Sequence, residues 1–355
     1  MALVRFNGFK YDDAASLPLD GWTCTAGTGT AVIDADGGPT TDYAAAYVRI
    51  DRKISCAWTP HATVIMGMRM KVSEIPTASD IPMLVNFTYL GATQVLVHIE
   101  GNGKLGVYSP TSSTQIALSE YVVVPNTWFY IEFKVLCHNT AGTVEIRING
   151  SAVADVAVTG KDTRAHASVA LIDGMDILAT SVTNPTMYLT FTDLYVCTGA
   201  NPAPCNDFLG DVRVNAFLPS GATGTSGPTE LTPSTGSNYA CVDEATINAA
   251  DYVSGTAGKD VYNFPDLGFT PLTLYAIAIK NTAKKNDAGA RYVNGVLRYS
   301  GVNYPGALVA LSDGSHKTYS EIRVTDPSTT NSLSAFSGSA AETFFNACEF
   351  GPRVS

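Results

Sequence analysis

Residues 127–158 read TWFYIEFKVLCHNTAGTVEIRINGSAVADVAV, and this stretch decides the fold. Apolar residues take every second position in two runs, which are Phe129, Ile131, Phe133, Val135 and then Val144, Ile146, Ile148. Tyr130, Glu132 and Lys134 share the opposite face of the first run. A period of two is typical of antiparallel strands that bury one face. Asn149-Gly150 tolerates the positive φ angles of a two-residue hairpin turn, so we expect a third strand at 152–158.

The same alternation continues through residues 1–200, with Gly, Asn and Pro between the runs. No convincing long helix interrupts it, which predicts a β-sandwich or barrel. The candidate strands are 44–50, 62–72, 83–90, 94–100, 104–108, 128–137, 143–149, 152–158, 168–172 and 186–197.

The rest of the chain predicts a connector and a second domain. Asn201-Pro-Ala-Pro204 indicates a stiff link, and the Gly-, Ser-, Thr- and Pro-rich segment 217–238 indicates an extended arm. We therefore divide the chain into a sandwich (1–200), a linker with its arm (201–238) and a β-rich C-terminal domain (239–355).

Within the second domain, Leu274–Ile279 is apolar on both faces, which predicts a central strand covered on both sides. Phe344 and Phe345 are expected to face the core from the second of two short helices. The candidate strands are 272–280, 291–299, 307–311 and 317–325, and the candidate helices are 244–250 and 339–347.

The composition argues against several kinds of partner. The 355-residue chain has a formal net charge of −10 and scattered basic residues, whereas nucleic-acid binding calls for a basic stripe. The same charge would be repelled by an anionic membrane, and no run of about eighteen apolar residues predicts a membrane span. The N-terminal sequence does not predict a secretory signal. Only 15% of residues are charged, a surface that suits packing in an assembly.

Seven cysteines occur singly, without any CxxC pair, so the sequence predicts neither a zinc site nor a thioredoxin-like site. We expect most of them to be small buried apolar residues. The alternative for the unpaired one is a crosslink between subunits, which requires an oxidising environment. The seven are Cys24, Cys56, Cys137, Cys197, Cys205, Cys241 and Cys348.

Three segments resemble the laminin-G-like, concanavalin-type jelly rolls. They are FNGFKYDD at 6–13 with the following Gly21-Trp22, the opening stretch, and LTFTDLYVCTG at 189–199. The resemblance implies an antiparallel β-sandwich over most of residues 1–200. It says nothing about a ligand, because one scaffold carries many functions.

The C-terminal half resembles structural proteins of tailed-bacteriophage virions, in which a laminin-G-like domain precedes just such a block. The segments that carry this resemblance are FLGDVRVNAFLP (208–219), PSTGSNYACVDE (233–244), AKKNDAGARYVNGVLRYSG (283–301) and NACEFGPRV (346–354). It implies a particle component assembled in the host cytoplasm, with no catalytic residues carried over.

Jelly rolls of this type include glycoside hydrolases and polysaccharide lyases. Retaining glycosidases place two carboxyl groups about 5–5.5 Å apart, and the nearest candidates, Asp243-Glu244 and Asp173 with Asp176, lie in turn-like sequence. Polysaccharide lyases of this fold use a Gln-x-His strand, whereas Gln94 and His98 are four apart, and on one face of a strand they would lie ~13 Å apart. We expect His98 to be a surface or rim residue. Cys137 and His138 are adjacent, so on a strand they would face opposite ways.

Calcium is the candidate metal, because laminin-G-like domains often bind one through Asp and Asn oxygens and backbone carbonyls. The available loop acids are Asp34, Asp36, Asp173 and Asp176. The alternative is that each is a turn residue bonded to nearby backbone. We name no ligand set, and we expect no organic cofactor.

Tyrosines are abundant, and Tyr43, Tyr47 and Tyr108 are candidates for stacking on a sugar ring at a loop edge. Tyrosine is equally common at wet subunit interfaces, and we favour that interpretation. The sequence thus predicts a non-enzymatic virion protein, an exposed decoration, collar or fibre component that contacts other virion proteins and copies of itself, by analogy as a trimer. A host-glycan-binding module is the alternative, and a polysaccharide depolymerase is a weaker one.

Overall fold

The computed structural model describes residues 3–12, 15–26, 32–34, 38–39, 45–49, 52–76, 83–109, 114–165, 169–179, 187–199, 203–222, 227–312 and 314–355. It divides into two compact units, Met1–Asn215 and Ala216–Ser355. Among the described residues, no helix is long and apolar enough to cross a membrane.

The described part of the first unit is built almost entirely of strands, with one short helix, α1 (Ser16–Leu19). In chain order the strands are β1 (Leu3–Asn7), β2 (Trp22–Ala26), β3 (Val32–Asp34), β4 (Ala45–Arg49), β5 (Arg52–His61), β6 (Thr63–Val72), β7 (Met83–Tyr89), β8 (Ala92–Ile99), β9 (Lys104–Tyr108), β10 (Gln115–Val122), β11 (Phe129–Leu136), β12 (Gly142–Ile148), β13 (Val156–Lys161), β14 (Ile172–Ala179) and β15 (Tyr188–Thr198).

These strands form two antiparallel sheets that enclose one core. The larger sheet runs β13-β12-β11-β6-β15-β4-β3, with β1 beside β15, and the seven-stranded sheet runs β10-β9-β8-β7-β14-β5-β2. Alternate residues of β6, β8, β11 and β12 point between the sheets and are fully buried. The predicted fold class, a jelly-roll β-sandwich followed by a second β-rich unit, is confirmed.

The opening stretch folds largely as its alternation predicts. Phe129, Ile131, Phe133 and Val135 lie in the core, and β11 pairs along its length with β6 and β12. Asn149 and Gly150 have positive φ angles of 51° and 68°, and Ser151 N donates to Ile148 O across their turn. The prediction of a two-residue hairpin is nevertheless wrong, because β13 begins only at Val156. The strand predicted at 168–172 is also displaced, since β14 starts at Ile172.

Residues 203–215 belong to the first unit, so the predicted boundary at 200 and the linker beyond it are wrong. This segment lies on the outer face of the larger sheet. Gly210 N donates to Glu132 Oε1 (2.8 Å), and Val214 N donates to Asp193 Oδ1 (2.9 Å). Both carboxylates are consequently buried, and their pKa values are raised because burial disfavours the charged form.

The second unit is a smaller, irregular β structure. Its elements are β16 (Gly221–Ala222), β17 (Thr232–Pro233), a 3₁₀ turn (Tyr239–Cys241), β18 (Val253–Ser254), β19 (Gly258–Lys259), β20 (Tyr262–Asn263), β21 (Ile277–Ala283), β22 (Tyr292–Tyr299), β23 (Val302–Pro305), β24 (Val309–Ala310), β25 (Lys317–Arg323), a second 3₁₀ turn (Leu333–Ala335), α2 (Ser339–Asn346) and β26 (Cys348–Val354). Its main sheet runs β16-β20-β26-β22-β23, with β19 and β24 at its margins.

Several predictions for this unit need correction. Leu274–Ile279 is not a central strand, because β21 begins at Ile277 and pairs only with β25 in a separate two-stranded sheet. The 244–250 segment is not helical. The predicted arm at 217–238 contributes β16 and β17 to sheets. The helix at 339–347 is confirmed as α2, with Phe344 buried in the core and Phe345 packed against it.

Candidate functional site

The outer face of the seven-stranded sheet carries a line of mostly polar side chains, which we call the transverse row. It crosses six neighbouring strands in register, from β5 through β14, β7, β8 and β9 to β10. At ~4.8 Å between neighbouring strands, it spans ~24 Å. Its members are Ser55, Asp176, Asn86, Leu96, Tyr108 and Gln115.

One end of the row is held by a buried carboxylate. Asp176 Oδ1 accepts from Ser55 Oγ at 2.7 Å, and Oδ2 accepts from Lys53 Nζ at 3.3 Å and Asn86 Nδ2 at 3.4 Å. The Asn86 side chain has a second polar atom, Oδ1, that is buried without a hydrogen-bond partner among the described residues. Asp176 is thus occupied by its neighbours, whereas Asn86 retains one unused acceptor.

The other end is an aromatic and acidic cluster around His98, here called the His98 cluster: His98, Glu100, Tyr108 and Gln115. The His98 and Tyr108 rings lie 4.7 Å apart between centroids, tilted by 34°. Tyr108 OH donates to Glu100 Oε1 at 2.7 Å, and Gln115 Nε2 lies 3.4 Å from both oxygens. Four types of group therefore meet here, an imidazole, a phenol, a carboxylate and an amide.

Gly106 makes room for this cluster. It lies opposite His98 on β9. A Cβ built on Gly106 would overlap Glu100 Oε1 and would lie 2.8 Å from Tyr108 Cε2 and 2.9 Å from Gln115 Nε2. Any larger residue would displace the three side chains, so the glycine determines how they converge.

His98 is the unusual member of the cluster. Val97 and Ile99 point into the core, so His98 points outward, yet it is only 8% exposed. Neither ring nitrogen has a hydrogen-bond partner among the described residues. Burial lowers the pKa of His98 to about 4, although nearby Glu100 acts in the opposite direction. The ring is therefore neutral at pH 7 and offers one donor and one acceptor.

Tyr108 is also kept in its neutral form. Burial, and then its hydrogen bond to the Glu100 carboxylate, raise the pKa of Tyr108 to about 12. The phenol thus remains a donor at neutral pH. A neutral imidazole, a neutral phenol, a carboxylate and amides can hydrogen-bond hydroxyl groups while the tyrosine ring offers an apolar surface.

Gln94 does not join this site, and the expectation that it shares a face with His98 is wrong. A register shift between β7 and β8 at Phe87 and Thr88 turns Gln94 away. Its Oε1 accepts from Cys137 Sγ (3.4 Å) and from Ala165 N (2.9 Å), and it is fully buried. The expectation that His98 is a surface or rim residue is wrong too, because its neighbours leave it only 8% exposed.

Of the acids proposed for calcium, the two that the structure describes, Asp173 and Asp176, bond to separate partners. Both oxygens of Asp173 accept from Leu90 N, while Asp176 bonds to the neighbours described above. These two acids lie on β14 rather than in a turn. The Asp34 side chain and Asp36 fall outside the described residues. Within the part of the chain that the structure describes, no group of three or more His, Cys, Asp or Glu side chains is placed to hold a metal ion.

The remaining candidates are dispersed. Tyr43 and the Tyr47 side chain lie outside the described residues, and only Tyr108 joins a cluster. Asp243 and Glu244 follow a 3₁₀ turn in the second unit. Cys137 and His138 do not pair, because His138 Nδ1 accepts from the backbone of Thr140 and Ala141 instead. All seven cysteines are free thiols, and six are buried.

Comparison with known proteins leaves the family open. No family model matches the chain, and no curated protein matches it. Among solved structures, it is similar to the cellulose-induced protein Cip1 (TM-score 0.42, 12% identity, 54% of this chain and 96% of that one). It is also similar to domain 4 of an arabinanase from Geobacillus stearothermophilus, in complex with arabinotriose (0.38, 14%, 56% and 92%), and to lectin I from Ulex europaeus (0.35, 9%, 50% and 92%). Structural similarities with TM-scores and sequence identities this low carry no information about a ligand or an activity of this chain.

Sequence reasoning singled out His98 and Tyr108 separately but missed that they touch. Glu100, Asn86 and Gln115 were missed as partners. The available signal was the alternation of 94–100 and 104–108, which puts His98, Glu100, Gly106 and Tyr108 on outer faces of predicted neighbouring strands. Only the strand register aligns them.

Proposed function

We propose that this chain is a non-enzymatic structural component of a tailed-bacteriophage particle, carried on its surface as a decoration, collar or fibre element. The observation that carries the proposal is a strand pairing. Two of the segments that resemble virion proteins, 283–301 and 346–354, contain β22 and β26, which pair without a break from Val293–Val354 to Tyr299–Cys348.

The glycines in these two segments support the same interpretation. A Cβ on Gly295 would lie 2.9 Å from Ile279 Cβ, and a Cβ on Gly351 would overlap the backbone oxygen of Asp260. A third resembling segment, 233–244, supplies Asn238, whose Nδ2 donates to Asp260 Oδ2 at 2.6 Å. The resemblance therefore falls on residues that hold the second unit together, as expected for an architectural domain.

The fourth segment, 208–219, begins in the first unit. Its Leu209 N donates to Tyr195 OH at 3.2 Å, beside the Gly210 and Val214 bonds already described. The resemblance is thus concentrated on backbone architecture in both units. Self-association and contact with other virion proteins follow as part of the proposal.

The test is to look for the chain in purified parent particles by mass spectrometry and cryo-electron microscopy. The proposal predicts a fixed copy number per particle and density that both units fit. Absence of the chain from otherwise complete parent particles would reject it. A host-cell lysate fraction matched for density serves as the control for co-purification.

A second candidate function is saccharide binding on the transverse row, as the glycan-binding module of an exposed appendage. The specific observation is His98, a buried neutral ring whose two nitrogens have no partner among the described residues. Buried polar atoms are normally paired, so a ligand hydroxyl is a reasonable occupant. A glycan array with wild-type protein and His98→Ala tests this, and a folded wild-type protein that binds no glycan rejects it.

A further inference from the structure

The outer face of the seven-stranded sheet carries charged side chains, and their balance bears on which class of saccharide could bind there. The described lysine and arginine side chains of this sheet are those of Lys53 and Lys104, and both are engaged. Lys53 pairs with Asp176 at 3.3 Å, and Lys104 pairs with Glu120 at 3.1 Å. Neither lysine is left to neutralise an added anion.

Some acids of this face are not paired with a basic side chain among the described residues. Glu100 accepts through Oε1 from the neutral donors Tyr108 and Gln115. No described cation pairs with Glu100, and its Oε2 has no hydrogen bond in the described part of the chain. Among the described residues, Asp173 accepts only from a backbone N–H, that of Leu90. The described side chains of the face therefore carry an excess of negative charge.

An anionic sugar on this face would be repelled by the excess negative charge, and neither described lysine is free to pair with it. A carboxylate or sulfate requires a cation or several N–H donors, because its desolvation is otherwise not repaid. A hydroxyl donates as well as accepts, and it matches the free carboxylate oxygen of Glu100, the acceptor Oδ1 of Asn86 and the neutral ring of His98. Hydrogen bonds from hydroxyls to a carboxylate are the stronger, charge-assisted type.

We propose that the transverse row and the His98 cluster bind an uncharged oligosaccharide, one of neutral hexoses or N-acetylhexosamines, and discriminate against uronate, sialylated and sulfated glycans. This inference rests on the saccharide-binding function proposed above. Tyr108, beside His98, supplies the ring surface, and Glu100 and Asn86 supply acceptors. The row of ~24 Å is long enough for several sugar rings in line.

The probe is an array of neutral oligosaccharides of glucose, galactose, mannose and N-acetylglucosamine. Each hexose member is printed beside the uronate made by oxidising its C6 hydroxyl, so that each pair differs only at C6, where a neutral hydroxyl becomes a carboxylate. We expect binding to at least one neutral member and at least tenfold weaker binding to its oxidised partner. The Kd of that neutral ligand is then measured by calorimetry for wild type and two variants.

Glu100→Gln should weaken neutral-ligand binding about tenfold, because it replaces a charge-assisted acceptor by a neutral one. Glu145→Gln, on the other sheet, is the matched control and should leave the Kd unchanged. Preference for the oxidised partners, weakened by added salt, would overturn the uncharged-ligand inference while leaving saccharide binding in place. Failure to bind either set would instead reject saccharide binding itself.

Discussion

The backbone N–H of Gly210 donates to the buried carboxylate of Glu132 at 2.8 Å, which joins the 203–215 segment to the middle of the larger sheet. The same oxygen accepts from Tyr195 OH at 2.5 Å. Sequence alternation places Glu132 on the solvent side of β11, yet it is 1% exposed. A segment that looks like a linker therefore completes the first unit.

Removal of Glu132 should destabilise the first unit. Glu132→Ala leaves Tyr195 OH and Gly210 N buried without their partner, and each such group costs about 1–3 kcal/mol. We expect a loss of about 3 kcal/mol in the free energy of unfolding, measured by urea denaturation. Glu145→Ala, at a partly exposed position on β12, is the control and should change it by less than about 1 kcal/mol. Equal effects of the two substitutions would contradict the role given to Glu132.

His98 should make the protein sensitive to mild acid. Its pKa is about 4 in the folded protein against an ordinary value of 6.5, so the unfolded chain binds the proton more tightly. The contribution of neutral His98 to the free energy of unfolding is therefore fully present above about pH 6.5. It is lost as the pH falls toward 4, by up to about 3 kcal/mol. Raised pKa values at Glu132 and Asp193 act in the opposite sense, because protonation favours the folded form.

The measurement is the difference between wild type and His98→Gln in denaturation midpoint from pH 7.5 to pH 4.5. The carboxylate contributions are common to both proteins and cancel. Wild type should lose stability relative to the variant as the pH falls. Parallel curves would show that His98 titrates normally.

The turn after β12 should reject a branched side chain. Gly150 has φ +68°, and a Cβ there would lie 3.4 Å from Asp211 N. Gly150→Val should cost about 1–2 kcal/mol because the left-handed conformation is strained for Val. Thermal unfolding measures the loss. Gly221→Val, where φ is not in the left-handed region and the space around the Cβ is open, is the control and should melt near the wild-type temperature.

The core of the sandwich should depend on Phe133. This ring is fully buried and lies 5.8 Å from the Phe87 ring of the opposite sheet, edge to face. Phe133→Ala should therefore cost about 3–5 kcal/mol through lost burial and a cavity. A soluble variant with an unshifted denaturant midpoint would place Phe133 outside the core.

The second unit should depend on Gly351. A Cβ there overlaps the backbone of Asp260, so Gly351→Ala pushes β26 away from the Asp260 backbone and should cost about 1–3 kcal/mol. Limited proteolysis followed by mass spectrometry assigns the loss to the second unit. Gly314→Ala, with its nearest neighbour 3.5 Å away, is the control. Cleavage at the same rate in both variants would show that β26 has room to move.

The local pattern was enough to predict part of the fold. The alternation around Phe133 placed β11 and β12 with their correct core faces, and Asn149-Gly150 formed a turn as expected. Strands such as β5 and β10 escaped prediction because their faces are less cleanly divided. β26 was missed because Gly351 and Pro352 interrupt its apolar residues. In the fold, Gly351 packs closely on the backbone of Asp260, and Pro352 lies opposite Gly295 on β22.

The sequence by itself determined the class of the protein, since a period of two, repeated between turn residues, leaves antiparallel sheets as the way to bury one apolar face. Tertiary structure alone decided which polar residues are buried and which converge. Glu132 is covered by a segment some eighty positions away. A shift in register turns Gln94 inward, while His98, Glu100 and Tyr108 meet over Gly106. Such encounters depend on register between strands, which no single strand's sequence contains.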